Sequence, residues 1–240
     1  MFFILPARLI TIIYLLAALV PGFFLLRYVY RKDLVDKESP VLLGKLLLQG
    51  VLAALASIIL EMAGQVALNL SLSQSNPYYV MAMAFLVVAV VEEGTKFFFL
   101  KRKTWNLEDF DYTFDGIVYA VFVSMGFALF ENVKYVFSFG LSVAFPRAFL
   151  AVPAHMGFAV FMGLFYGRAK MAEARGNKAA KTANLVAGYV SSVALHGFYD
   201  ACVMKSTALS TTLFVVFVVL MYVVVIRIIK RESRQDRPII

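Results

Sequence analysis

The chain has 240 residues, of which 62% are hydrophobic and 16% charged, against roughly 45–50% and 25% in soluble domains. Seven bilayer crossings of about 20 residues each would use about 140 residues, leaving no room for a soluble domain of useful size. The net charge of +8 would suit nucleic acid in a soluble protein. Here the basic residues gather at the ends of apolar runs, so no nucleic-acid partner is expected. The single cysteine, Cys202, excludes a disulfide framework and a thiolate metal site.

Apolar runs able to span a bilayer fall at 4–26, 43–63, 78–100, 115–139, 145–167, 183–204 and 209–229. They predict an all-α polytopic membrane bundle of about seven transmembrane helices, folded as one domain over 1–240, with a motif-bearing core at about 78–204. The first run is too long and too weakly basic at its front for a cleaved signal peptide, and reads as a retained helix. The short polar stretch 71–77 reads as a loop between the second and third helices. The first, third and fifth connections and the tail carry eighteen Lys and Arg between them. The opposite side carries three, and Lys96 and Lys134 fall inside the spans. The positive-inside rule then puts the N-terminus outside and the C-terminus in the cytoplasm. The basic runs read as topology signals and anionic-lipid contacts, with no site implied.

Ionisable groups in a bilayer are costly and face partners inside the bundle. Glu92, Glu93, Lys96, Glu131, Lys134 and Asp200 lie within the predicted spans, as do His155 and His196, the only histidines. Residues four apart share a helix face. Glu92 therefore pairs with Lys96, while Glu93 points about 100° away and is left free. His196 and Asp200 share a polar stripe with Asn184, Gly188 and Ser192, so Asp200 can orient the imidazole. Ala151, His155, Ala159, Gly163 and Gly167 form a small-residue stripe, as do Gly116, Ala120, Ser124, Ala128 and Asn132, with Glu131 at the edge of the latter. At α-helical rise, Glu131 and His196 come out about 12 Å deep, His155 about 15 Å and Glu92 about 21 Å from the outer helix ends. That places the cluster between midplane and outer face. Lys134 is expected to partner Glu131, Glu61 to be solvated, Cys202 to pack, and the aromatic runs 97–99 and 137–139 to face lipid or the membrane interface.

Adjacent carboxylates, a third from another helix and two histidines, without a recognisable Ser or Cys nucleophile, suit activation of water. A carboxylate takes the proton, a histidine or the paired lysine stabilises the oxyanion, and a protonated group donates to the leaving amine. A zinc site is the close rival, with His155 and His196 joined by Glu131 or Glu93 as ligands and another Glu as base. The absence of HExxH gives it no specific support. A proton-coupled transporter or channel using the Glu/His/Asp cluster as a relay is the alternative from another class. The lack of an internal repeat weighs against it.

The strings VVEEGTKFF (90–98), FDGIVYAVFVSMGFALFENVKY (114–135), PRAFLAVPAHMGFAVFMGLFYG (146–167) and LHGFYDA (195–201) together resemble the PrsW family of intramembrane proteases, related to the CAAX prenyl endopeptidase superfamily. The wider superfamily shows EExxxR, FxxxH and HxxxN. Here Lys96 stands one residue closer to the glutamates, Glu131 replaces a histidine and Asp200 an asparagine, departures that favour PrsW. The resemblance implies a glutamate-dependent peptide-bond hydrolase in a bacterial plasma membrane. Its expected substrate is a single-span protein such as an anti-sigma factor, cut in a first, site-1-type step. It implies catalytic roles for Glu92, Glu93, Glu131, His155 and His196, supported by Lys96, Asn132 and Asp200. No cofactor is required by this reading, and zinc stays open.

Overall fold

The computed structural model describes residues 6–239, so the first two residues of the 4–26 run lie outside the described residues. Helix α1 covers Ala7–Lys32 and α2 Pro40–Ser71. Next, α3 (Tyr79–Ala82) runs without a break through a π-helical stretch, Met83–Ala89, into α4 (Val90–Thr104). After a loop comes α5 (Asp115–Phe139). A 3-10 turn (Leu141–Val143), the short α6 (Ala144–Pro146) and a second π-helical stretch (Arg147–Ala151) lead into α7 (Val152–Ala174). Helices α8 (Lys178–Lys205) and α9 (Ala208–Arg234) complete the bundle. Among the described residues the only β feature is an isolated bridge between Tyr112 and Pro238.

Local chemistry sets the boundaries. Ser39 caps α2 by accepting from the Leu42 amide at 3.2 Å, with Pro40 at the first helical position, where its missing N–H costs nothing. Asn177 caps α8, accepting from the Ala180 amide at 2.9 Å, and Thr207 and Ser210 form a reciprocal capping box on α9. All seven predicted spans fall on helical segments. Five of these are long and apolar enough to cross a membrane by length and composition: Ala7–Lys32, Pro40–Ser71, Asp115–Phe139, Leu141–Ala174 and Ala208–Arg234. The other two carry Glu92, Glu93 and Lys96, and His196 and Asp200. Their polar content is the chemistry of the site.

Helix α5 is the axis of the bundle. Every residue from Asp115 to Ala128 is buried, and α1, α2, α4 and α7 pack around it. The small stripes work as close-approach surfaces. Off the stripes the same holds at Gly126, where a Cβ would lie 2.0 Å from the Leu47 carbonyl oxygen of α2. One on Gly163 would lie 2.5 Å from the Gly116 carbonyl oxygen of α5, so α5 and α7 meet backbone to backbone. Polar bonds add to the packing: Ser124 Oγ of α5 donates to the His155 carbonyl of α7 at 3.0 Å, and Ser192 Oγ of α8 donates to the Phe158 carbonyl of α7 at 2.9 Å. Outward faces of α1, α2 and α9 expose large apolar side chains such as Phe24, Ile59, Leu70 and Leu220. Such surfaces suit lipid and not water.

Candidate active site

The π-helical stretch before α4 delivers the first two carboxylates. A π turn holds more residues per turn than an α turn and so advances less along the axis, and such turns recur at functional sites. Ligand atoms of Glu92, His155 and His196 lie within 4.8 Å of one another, so Glu92 is level with the histidines and the α-helical arithmetic puts it too deep; the smaller rise of the π turn is one part of that difference. The second π stretch, Arg147–Ala151, ends four residues before His155 and plays the matching part on α7.

Lys96 sits at the centre. Its Nζ donates to Glu93 Oε1 at 2.8 Å and to Glu92 Oε2 at 3.1 Å, and it stands 3.9 Å from the centre of the Phe127 ring. The expectation that Glu93 is free is therefore corrected. A lysine side chain is long enough to reach residues both three and four positions back, so one ammonium serves both carboxylates. The same Nζ donates to His155 Nδ1 at 3.2 Å, which puts the ring hydrogen on Nε2, donated to Glu131 Oε2 at 3.1 Å.

His196 faces acidic groups at both nitrogens. Nδ1 lies 2.9 Å from Glu93 Oε1, and Nε2 lies 3.3 Å from Asp200 Oδ2 and 3.9 Å from Glu92 Oε2. A doubly protonated ring satisfies both ends. The imidazole lies flat on Phe158, ring centres 4.9 Å apart and planes at 19°. Asp200 thus takes the orienting position that its helical spacing indicates.

Glu131 differs from expectation in its partner. Arg147 donates to Glu131 Oε2 at 3.0 Å and to Asn132 Oδ1 at 2.9 Å, and stacks 4.0 Å from the Tyr135 ring centre. Lys134 is exposed and lies 5.5 Å from that same ring. The lysine three residues on is not the partner: its exposed side chain lies at the wall of the cavity beside the site, and the guanidinium of Arg147 takes the carboxylate instead. Asn132 is anchored in turn by donating to the Ala18 carbonyl of α1 at 2.8 Å. Sequence reasoning counted Arg147 only as a topology charge. The signal that could have singled it out is an arginine within a predicted span, eight residues before a histidine.

A cavity of about 580 Å³ opens beside this cluster, lined by Glu92, Glu131, His155, His196 and Asp200 together with Glu61. Glu61, expected to be solvated at a helix end, is part of the wall. Glu93 and Lys96 lie behind the wall, 0% and 1% exposed. Cys202 is buried and packs as expected, 6% exposed.

Ligand atoms of Glu92, Glu93, His155 and His196 all lie within 4.8 Å of one another. Two imidazoles and two carboxylates are a donor set suited to zinc. Glu93 Oε2 is buried without a hydrogen-bond partner and is a spare acceptor. The residues present fit a divalent ion, although the Lys96 ammonium bonds three of the same four groups and would compete for them. Glu131 is outside this set, on the far side of the His155 ring.

The sequence matches the family described as PrsW family intramembrane metalloprotease over residues 38–228. "Protease PrsW" of Oceanobacillus iheyensis is 31% identical over 217 residues, covering 90% of this chain and 94% of its own length. Those of Geobacillus kaustophilus and Bacillus subtilis are 34% and 33% identical, each covering 77% of this chain and 76% and 79% of their own lengths. No solved structure matches the chain.

Proposed function

Since the chain belongs to the PrsW family of intramembrane metalloproteases, a multi-pass bacterial membrane peptidase, we propose that Glu92 is the water-activating base and Glu93 the residue that holds the site together. The family sets aside the transporter reading. One observation carries the assignment: of the adjacent glutamates, Glu92 alone lines the cavity, beside His155 and His196. Glu93 is spent on Lys96 and His196.

In this reading a substrate segment enters the cavity with its helix locally unwound, since a helical carbonyl is already bonded and cannot be attacked. Glu92 takes a proton from water as the oxygen attacks the scissile carbon. The His196 Nε2 hydrogen, held between Asp200 and the cavity, turns to the developing oxyanion. Glu92 then returns its proton to the leaving amine nitrogen, and the peptide bond opens into an acid and an amine. Glu131, held by Arg147, fixes the His155 ring; Lys96 keeps Glu93 charged and in place. A divalent ion would be held by His155, His196 and Glu93, and would polarise the carbonyl and acidify water when bound.

The substrate class is a single-span membrane protein, an anti-sigma factor being the case that the family resemblance favours. N-terminus out and C-terminus in is the orientation that the basic asymmetry supports, which puts cleavage in the outer half of the bilayer. The test is cleavage of a single-span reporter in proteoliposomes. Glu92→Gln should remove cleavage by at least a hundredfold while leaving insertion and unfolding temperature close to wild type. Cleavage above a tenth of the wild-type rate in Glu92→Gln overturns the assignment of the base.

A further inference from the structure

At the opposite end of the bundle from the catalytic cavity lies a second one, of about 560 Å³, where the ends of α5, α7, α8 and α9 meet the C-terminal tail. Four arginines line it: Arg168, Arg175, Arg231 and Arg237. One carboxylate faces them. Glu232 accepts from Arg231 Nε at 2.9 Å and lies 3.8 Å from Arg168. Among the described residues no carboxylate lies within ion-pair reach of Arg175 or Arg237. Like charges gathered around one cavity repel unless an anion joins them.

The gathering is built, and is more than a run of surface charge. Arg168 on α7 and Arg175, the residue that ends it, are seven residues apart and both line the cavity. Arg237 lies beyond the last helix, yet its backbone is pinned. Its carbonyl accepts from the Thr113 amide at 3.0 Å and its amide donates to Thr113 Oγ1 at 3.3 Å. Asp236 accepts from the Phe114 amide at 2.8 Å, and the Ile239 amide donates to the Asp111 carbonyl at 2.7 Å, with the Ile239 side chain buried. The amino end of α8, the positive end of its dipole, opens on the same cavity through Asn177 and Ala180.

The cavity is also amphiphilic. Along α7 it runs from Arg175 back to Leu164, about 16 Å at helical rise, and its inner wall is Leu164 and Ile117, both buried. A soluble anion needs the guanidinium rim alone. A phospholipid uses both ends. We propose that this cavity binds the phosphate of an anionic phospholipid headgroup, gripped by the forked guanidiniums, with the glycerol and first acyl carbons against Leu164 and Ile117. The cavity lies on the side that the basic asymmetry predicts to be cytoplasmic, and the assignment is independent of the catalytic reading.

The test uses full-length protein purified in zwitterionic detergent and stripped of lipid. Binding is read by native mass spectrometry and thermal unfolding against phosphatidylglycerol, phosphatidylcholine and inorganic phosphate. Phosphatidylglycerol should bind at least tenfold more tightly than phosphatidylcholine. Arg175→Gln with Arg237→Gln should lower that affinity tenfold or more, and Arg175→Lys with Arg237→Lys should fall between. The control pair Lys101→Gln with Arg102→Gln removes the same charge elsewhere and should leave the affinity unchanged. An equal loss in the control pair, or equal binding of the two lipids, overturns the site. Stabilisation by millimolar inorganic phosphate without any preference for phosphatidylglycerol overturns the lipid as its source.

Discussion

Replacing Lys96 by methionine should both destabilise the fold and stop cleavage, and the structure sets the size of the first effect. The ammonium is 1% exposed and stands 2.8 Å from Glu93 and 3.1 Å from Glu92. Methionine keeps most of the side-chain volume and removes the charge, leaving two carboxylates in the bundle interior with His196 as their remaining cationic partner. Deleting one partner of a buried ion pair costs about 3–5 kcal/mol. Two carboxylates share this lysine, so the upper part of that range is expected. At about 2–4 °C per kcal/mol for a chain of this size, the unfolding temperature should fall by about 10–20 °C. The assay is thermal unfolding in detergent followed by the fluorescence of Trp105, the only tryptophan, with a chelator present so that no divalent ion replaces the ammonium. Adding Glu92→Gln and Glu93→Gln to Lys96→Met removes the stranded charges and should recover most of the loss, with cleavage still absent. A Lys96→Met protein that unfolds within 2 °C of wild type would refute the account of Lys96 as the counter-ion that makes the paired glutamates tolerable.

Arg147→Met should lower kcat about tenfold with KM little changed, because Arg147 acts through Glu131 on the His155 ring, and Arg147→Lys should restore only part, lacking the fork that reaches both Glu131 and Asn132. A raised KM at unchanged kcat would instead place Arg147 against the substrate. In the loop between α1 and α2, burial pushes the Glu38 carboxyl from 4.5 up to about 7 and Asp33 from 3.8 up to about 6, while Glu38 accepts a hydrogen bond from Tyr119. The folded protein then binds more protons than the unfolded chain between about pH 4 and 7, so stability falls as pH rises through that window and levels off above it. Unfolding scans of Glu38→Gln should show a flatter slope there; a slope equal to wild type would remove Glu38 from the explanation.

The sequence by itself determined the class of fold, and it named Glu92, Glu93, Lys96, Glu131, His155, His196 and Asp200, which the bundle brings together, but neither Arg147 nor Glu61. Apolar runs of bilayer length, interrupted by a few charges that cannot lie in lipid, define which helices turn polar faces inward. Spacing of four puts Asp200 beside His196 and Glu92 beside Lys96, since both pairings are made within one helix and follow from its period. Gly116 and Gly163 were legible as contact surfaces for the same reason: a small-residue stripe has one use in a bundle.

The tertiary structure decided everything that depends on which face meets which. Lys96 reaches Glu93 as well as Glu92, and then His155 from another helix, because the ammonium goes where acceptors converge. Glu131 pairs with Arg147, sixteen residues on, and not with Lys134, three residues on, because the connection after α5 brings Arg147 back within reach of Glu131 and Asn132. The π-helical stretches that bring Glu92 and His155 level have no period of their own in the sequence. The first packs against α8 and α2 and the second against α1, and in each a turn accommodates an extra residue. Above all, only the assembled bundle separates two adjacent glutamates, placing Glu92 on the cavity wall and Glu93 behind it. A sequence gives neighbouring residues the same local chemistry. Water reaches one and not the other because other helices cover one face and leave the next one open.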